Sequence, residues 1–138
     1  MNRVELQVLA DIRVGDAALL LQGARYPGAY YVAGYAVECA LKAAIAKQIR
    51  EHDFPEKKLV NDSHTHDLER LLAISGLKPQ FDIRVAGDNA FAVNWTTVKD
   101  WNETTRYDGT IAEVKARDLF TAVTHQDHGV LPWLKTLW

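Results

Sequence analysis

Apolar residues recur at helical spacing along most of this chain. Leu6, Leu9, Ile12, Ala17, Leu20, Leu21 and Ala24 set a period that predicts a first helix over about 3–24. Arg13 and Asp16 stand beside its apolar stripe, which points to a buried or cleft-facing pair. Tyr26-Pro27-Gly28 breaks the pattern, and Pro27 suits a helix start. A second helix should then run to about Arg50. Between Tyr26 and Lys47 it is Ala-rich, with only Glu38 and Lys42 charged before its end. A helix apolar nearly all round is buried on most sides, and a carboxylate placed there needs a partner. Tyr31, Tyr35, Glu38 and Lys42 fall on one stripe of that helix. The stripe either braces the core or faces a cleft.

The polar, Pro55-containing stretch 51–64 reads as a loop. Thr65 can cap a short third helix through about Ile74, with Asp67 and Glu69 near its positive end, and Gly76 closes it. Pro79 opens a short fourth helix. Ala86 to Asn89 interrupts the pattern, and Asp88 can cap the next helix. There Phe91, Trp95 and Val98 make an apolar row with Trp101 beside it, ending near Glu103–Arg106. Asp108-Gly109 signals a turn. Thr110 and Glu113 have capping-box spacing before a last long helix carrying Val114, Leu119, Phe120 and Val123. Gly129 and Pro132 allow a break before the apolar end, Trp133, Leu134, Leu137 and Trp138. No stretch alternates as a strand does. The fold class is therefore all-α, an up-and-down bundle of four to six helices in a single domain over 1–138.

At 138 residues, 48% of them hydrophobic, the chain can bury a sizeable core; its formal net charge of −2 does not suggest a nucleic-acid scaffold. The lone cysteine, Cys39, lies inside the apolar helix and reads as a core thiol; no intrachain disulfide or all-Cys zinc site follows. The N-terminus lacks a signal-peptide core, and no run is long and apolar enough for a membrane span. A cytoplasmic location is the expectation, with no cofactor.

Arg106-Tyr107 is the leading candidate for chemistry. A guanidinium before a turn can hold phosphate or carboxylate through a bidentate fork; alternatively it satisfies helix carbonyls or pairs with Glu38. Glu38 in turn either pairs with Lys42 at i,i+4 or orients Arg106 in a cleft. The pairs His64/His66 and His125/His128 read as surface histidines near helix ends in preference to a metal site. Phe91, Trp95 and Trp101 read as core, since their neighbours are not basic as a stacking platform requires. No phosphate loop, nucleophilic triad or CxxC is present.

The apolar run 26–47, the Thr65–Leu68 element THDL and the W-x10-RY element from Trp95 to Tyr107 together resemble a HEPN domain, over nearly the whole chain. The resemblance implies a small helical bundle associated with nucleotide or RNA chemistry, in which His66 and Asp67 brace a short helix. It also implies a homodimer, and a small nucleotidyltransferase as partner in a toxin–antitoxin-type system. Active ribonucleases of that family carry Arg, four to six residues, then His. After Arg106 the required positions hold Ile111, Ala112 and Glu113. The expectation is a non-catalytic domain that binds a nucleotide, RNA or protein through Arg106, Tyr107, Glu38, Lys42 and Tyr35. The alternative is a divergent, metal-independent endoribonuclease using Arg106 with His66 or His125. The apolar segment Val130 to Trp138 either joins two copies or docks on the chain's own first helix.

Overall fold

A computed structural model describes residues 1–49 and 53–138. Every regular element among them is helical: α1 (Arg3–Gln22), α2 (Tyr26–Lys47), α3 (Lys57–Asp62), α4 (Leu68–Ile74), α5 (Lys78–Gly87), α6 (Asn89–Lys99), a 3-10 turn (Glu103–Tyr107), α7 (Glu113–Thr124) and α8 (Val130–Lys135). The all-α expectation holds, with more and shorter pieces than four to six. The extra pieces are short segments, α3, the 3-10 turn and α8, that link or follow the longer helices.

α2 is the centre of the fold. It packs along α1 and touches α4, α7, α8 and the 3-10 turn. Its buried side is largely alanine (Ala29, Ala33, Ala36, Ala40, Ala43, Ala44), which lets several helices approach one backbone. α1 starts with a reciprocal capping box: Asn2 accepts from the Glu5 amide, and Glu5 accepts from the Asn2 amide. The chain reverses into α2 through Ala24, which takes φ 57. The Arg25 amide donates to Leu20 O at 2.8 Å across that turn.

The local expectations for helix starts fail in two places. α4 is capped by Asp67, whose carboxylate accepts from the Arg70 amide, while Thr65 Oγ1 accepts from the Asp67 amide. The Thr110–Glu113 capping box does not form. Thr110 turns back to Asp108, Ala112 holds the cap position of α7, and Glu113 Oε2 accepts from the Tyr26 hydroxyl at 2.9 Å. A nearby turn and a tertiary partner outcompete the local box. Asp88 does cap α6, accepting from Phe91 N at 3.0 Å. Residues 57–62, expected as loop, form α3. Arg50, where the second helix was expected to end, lies outside the described residues.

The apolar C-terminal segment packs within its own chain. Val130, Leu131, Trp133 and Leu134 are buried, with Trp133 edge-on to Phe81 and tilted against Phe91. Arg3 donates to Trp138 O, and Lys47 Nζ donates to Leu137 O. Phe91, Trp95 and Trp101 are core, as their surroundings predict. Val114, expected to pack, is exposed instead. No described helix is long and apolar enough to cross a membrane.

Candidate functional site

The polar stripe of α2 exists as the spacing requires, but its two ends have different partners. At the C-terminal end, Glu38 is only 2% exposed. Its Oε1 accepts from Lys42 Nζ at 2.9 Å and faces His66 Nδ1 at 2.8 Å. A carboxylate can only accept, so the imidazole proton of that contact sits on Nδ1. His66 thereby fastens the residues before α4 to α2, and Asp67 caps α4. The second oxygen, Oε2, is buried and has no partner among the described residues; the same holds for Trp101 Nε1.

At the N-terminal end, Tyr31 stacks on Tyr35 (centroids 6.2 Å, 9° between planes) and on Trp101 (5.9 Å, 28°). Trp101 sits directly on Gly34, where a side chain would collide with its ring. This packing fixes the 3-10 turn, capped by the Asn102 side chain, against α2. Arg106 emerges from that turn. Its guanidinium lies 4.7 Å from the centroid of the Tyr107 ring, and Tyr107 is 77% exposed. The Tyr107 hydroxyl, followed by that of Tyr31, raises the Arg106 pKa, so the guanidinium stays charged throughout the useful pH range. No carboxylate among the described residues pairs with Arg106. On the other flank, Arg13 lies 5.9 Å over the Tyr35 ring and pairs with Asp16 at 2.8 Å.

The result is a row: Arg13 over Tyr35, Tyr35 against Tyr31, Tyr31 against Arg106, and Arg106 over Tyr107. It brings Arg106, Tyr107 and Tyr35 together but does not join Arg106 to Glu38, which is occupied by Lys42 and His66. Seven residues of helix separate Tyr31 from Glu38, roughly 10 Å along the axis. Arg106 itself is exposed and not sunk into a cleft. Tyr31 and Arg13 were absent from the expected ligand contacts. The signal for Tyr31 was its i,i+4 spacing to Tyr35, whereas Arg13 reaches the row only through the packing of α1 on α2.

Cys39 is a core thiol. Burial first, then the Glu38 carboxylate, pushes it up to about 11, which leaves it protonated and unreactive at neutral pH. Burial, with Cys39 and Glu38 adding to it, also raises the Tyr35 phenol. His125 stacks on His128 (centroids 5.1 Å), and His128 Nδ1 lies 2.8 Å from Asp88. No group of three or more metal-type ligands occurs among the described residues. A separate groove of about 770 Å³ is lined by Tyr30, Lys99, Asp100, Lys115 and Asp118 among others. Its two cations are balanced by two anions, and none of the expected site residues reaches it.

No family model, curated protein or solved structure matches this chain.

Proposed function

We propose that this chain is a non-catalytic, HEPN-like domain that binds a nucleotide or single-stranded RNA on the row Arg106, Tyr107, Tyr31 and Tyr35. One observation carries the reading: Arg106 presents a charged guanidinium at the surface, against two tyrosines, with no carboxylate partner among the described residues. A free guanidinium fork matches phosphate oxygens, and aromatic faces beside it offer stacking for a base. Arg13 supplies a second cation on the same row, whereas Lys42 is engaged by Glu38 beyond its far end. Glu38, held by Lys42 and His66, fastens the segment before α4 to α2 and stands apart from the ligand row. The all-helical architecture agrees with the resemblance to HEPN domains, which in turn supports a nucleotidyltransferase as protein partner in a paired toxin–antitoxin-type system.

Fluorescence anisotropy with a labelled single-stranded RNA at low salt tests the reading. Arg106→Ala should weaken binding about tenfold or more, the worth of a charge-assisted hydrogen bond of about 1.5–3 kcal/mol. Tyr107→Ala should weaken it by about 1–3 kcal/mol through lost stacking. The salt dependence should fall by about one unit of slope in Arg106→Ala. Absence of binding by the unaltered protein would refute it. The ribonuclease alternative draws on the half-exposed His66 ring held by the buried Glu38. RNA incubated in EDTA should stay intact; cleavage lost in both Arg106→Ala and His66→Ala would favour that alternative.

A further inference from the structure

The groove of about 770 Å³ between α2, α6 and the first turns of α7 holds polar groups that the fold leaves unused. Tyr30 forms part of its wall and is only 4% exposed. Its hydroxyl has no hydrogen-bond partner among the described residues, yet it is not sealed in the core. Burial first, then the Asp100 carboxylate on the same wall, raises the phenol. The hydroxyl therefore stands at the groove and stays protonated, as a donor. A nearly buried donor is costly to leave unpaired unless something outside the chain accepts from it. α7 begins at the same place. Ala112 holds its cap position, and no side chain caps it. Glu113 turns away to Tyr26 and Arg117. The first amide N–H groups of α7 thus lie at the groove beside Lys115. Lys115 Nζ is 5.2 Å from the centroid of the Tyr30 ring and forms no ion pair among the described residues.

The helix end, the ammonium and the hydroxyl together suit one anionic group. The rest of the wall narrows what that group belongs to. Asp118 follows Lys115 by three residues on the same side of α7, about 4.5 Å further along its axis. Asp100 adds a second carboxylate from the end of α6, and neither is in an ion pair among the described residues. Two carboxylates repel a phosphate dianion. A metal ion lacks ligands, since no group of three or more occurs among the described residues. A base finds no aromatic face, because Tyr30 is buried with Lys115 over its ring. A molecule that carries both charges a few bonds apart satisfies both ends. Val114, 70% exposed, gives the groove an apolar rim.

We propose that this groove binds a small aliphatic α-amino acid as its zwitterion. The carboxylate sits on the α7 amides, Lys115 and the Tyr30 hydroxyl; the ammonium sits on Asp118 and Asp100; the side chain rests on Val114. No residue of the Arg106 row lines the groove, so this site and RNA binding stand or fall separately.

Titration of the full chain with L-leucine, followed by amide chemical shifts in NMR, tests the site. The Val114 and Lys115 amides should shift and saturate. 4-Methylpentanoate, which lacks the ammonium, and 3-methylbutylamine, which lacks the carboxylate, should each bind at least tenfold more weakly. Tyr30→Phe keeps the ring and removes the donor; it should weaken leucine about tenfold, as should Lys115→Met, with unchanged helical circular dichroism. Asp118→Asn should weaken leucine while leaving 4-methylpentanoate unchanged or tighter, a reversal that a merely structural change would not give. Arg106→Ala should leave leucine binding as it is. No shift of the two amides up to the solubility limit of leucine would overturn the proposal. So would 4-methylpentanoate binding as tightly as leucine, or leucine binding unaltered in both Tyr30→Phe and Lys115→Met.

Discussion

Adding one methyl group at Gly34 should disturb both the core and the Arg106 surface. An ideal Cβ at this position would lie 2.3 Å from Cγ, Cδ1 and Cδ2 of Trp101. No contact that short survives, so the indole must move. Trp101 is 2% exposed and stacks on Tyr31, which leaves it little room. Overpacking of this kind costs about 1–3 kcal/mol, and full loss of a buried tryptophan about 3–5. Replacing glycine by alanine inside a helix returns about 1 kcal/mol. Because the indole has little room to shift, the top of the first range and the bottom of the second apply, about 3–4 kcal/mol, which leaves a net destabilisation of about 2–3 kcal/mol. With an unfolding entropy of about 2.1 cal/mol/K per residue, a chain of 138 residues loses roughly 3–4 °C per kcal/mol. Gly34→Ala should therefore lower Tm by about 7–10 °C. Thermal unfolding by circular dichroism gives the number, and tryptophan fluorescence should report a more hydrated indole. The same displacement should loosen the 3-10 turn and weaken RNA binding without touching Arg106. A double-mutant cycle isolates the cause: in a Trp101→Leu background the added methyl should cost far less. If Gly34→Ala melts within 2 °C of the unaltered protein, or costs the same in both backgrounds, the close packing of Trp101 on α2 is not what holds the turn.

Other outcomes follow from particular contacts. Lys42→Met leaves the buried Glu38 carboxylate with His66 alone and should destabilise by about 1–3 kcal/mol in denaturant titration, whereas an exposed i,i+4 pair would cost under about 0.5. The Asp88 carboxyl is held below its ordinary 3.8 first by His128 and then by the Phe91 amide. A depressed carboxyl stabilises above its unfolded pKa and loses that contribution as pH falls through the folded one. The Tm difference between the unaltered protein and Asp88→Asn should thus be constant from neutrality to about pH 4 and shrink below it. Cys39, with its thiol pushed up to about 11, should resist an aromatic disulfide reagent in the native state at pH 8 and react once denaturant is added. Ala24→Gly should stabilise by up to about 1 kcal/mol, since alanine at φ 57 carries a left-handed strain that glycine lacks; an unchanged unfolding midpoint would contradict that.

Sequence periodicity alone was enough to place α1, α2 and α6, to assign Phe91, Trp95 and Trp101 to the core, and to align Tyr31, Tyr35, Glu38 and Lys42 on one stripe. These are consequences of 3.6 residues per turn, and they survive any tertiary arrangement. The burial of Glu38 also followed, because its flanks on α2 are apolar. Which residue neutralises it did not follow. Lys42 is four residues away and local, whereas His66 arrives from the segment before α4, 28 positions on. Likewise Thr110 and Glu113 had the spacing of a cap, but Asp108 and Tyr26 offered nearer or better partners, and hydrogen-bonding groups go where the folded geometry puts them. Arg106 was legible as a surface cation before a turn. Its separation from Glu38, its place against Tyr31, and the arrival of Arg13 on the same row were set by Trp101 seated on Gly34 and by the angle of α1 on α2. Contacts between distant segments depend on how whole helices pack, and no local period encodes that.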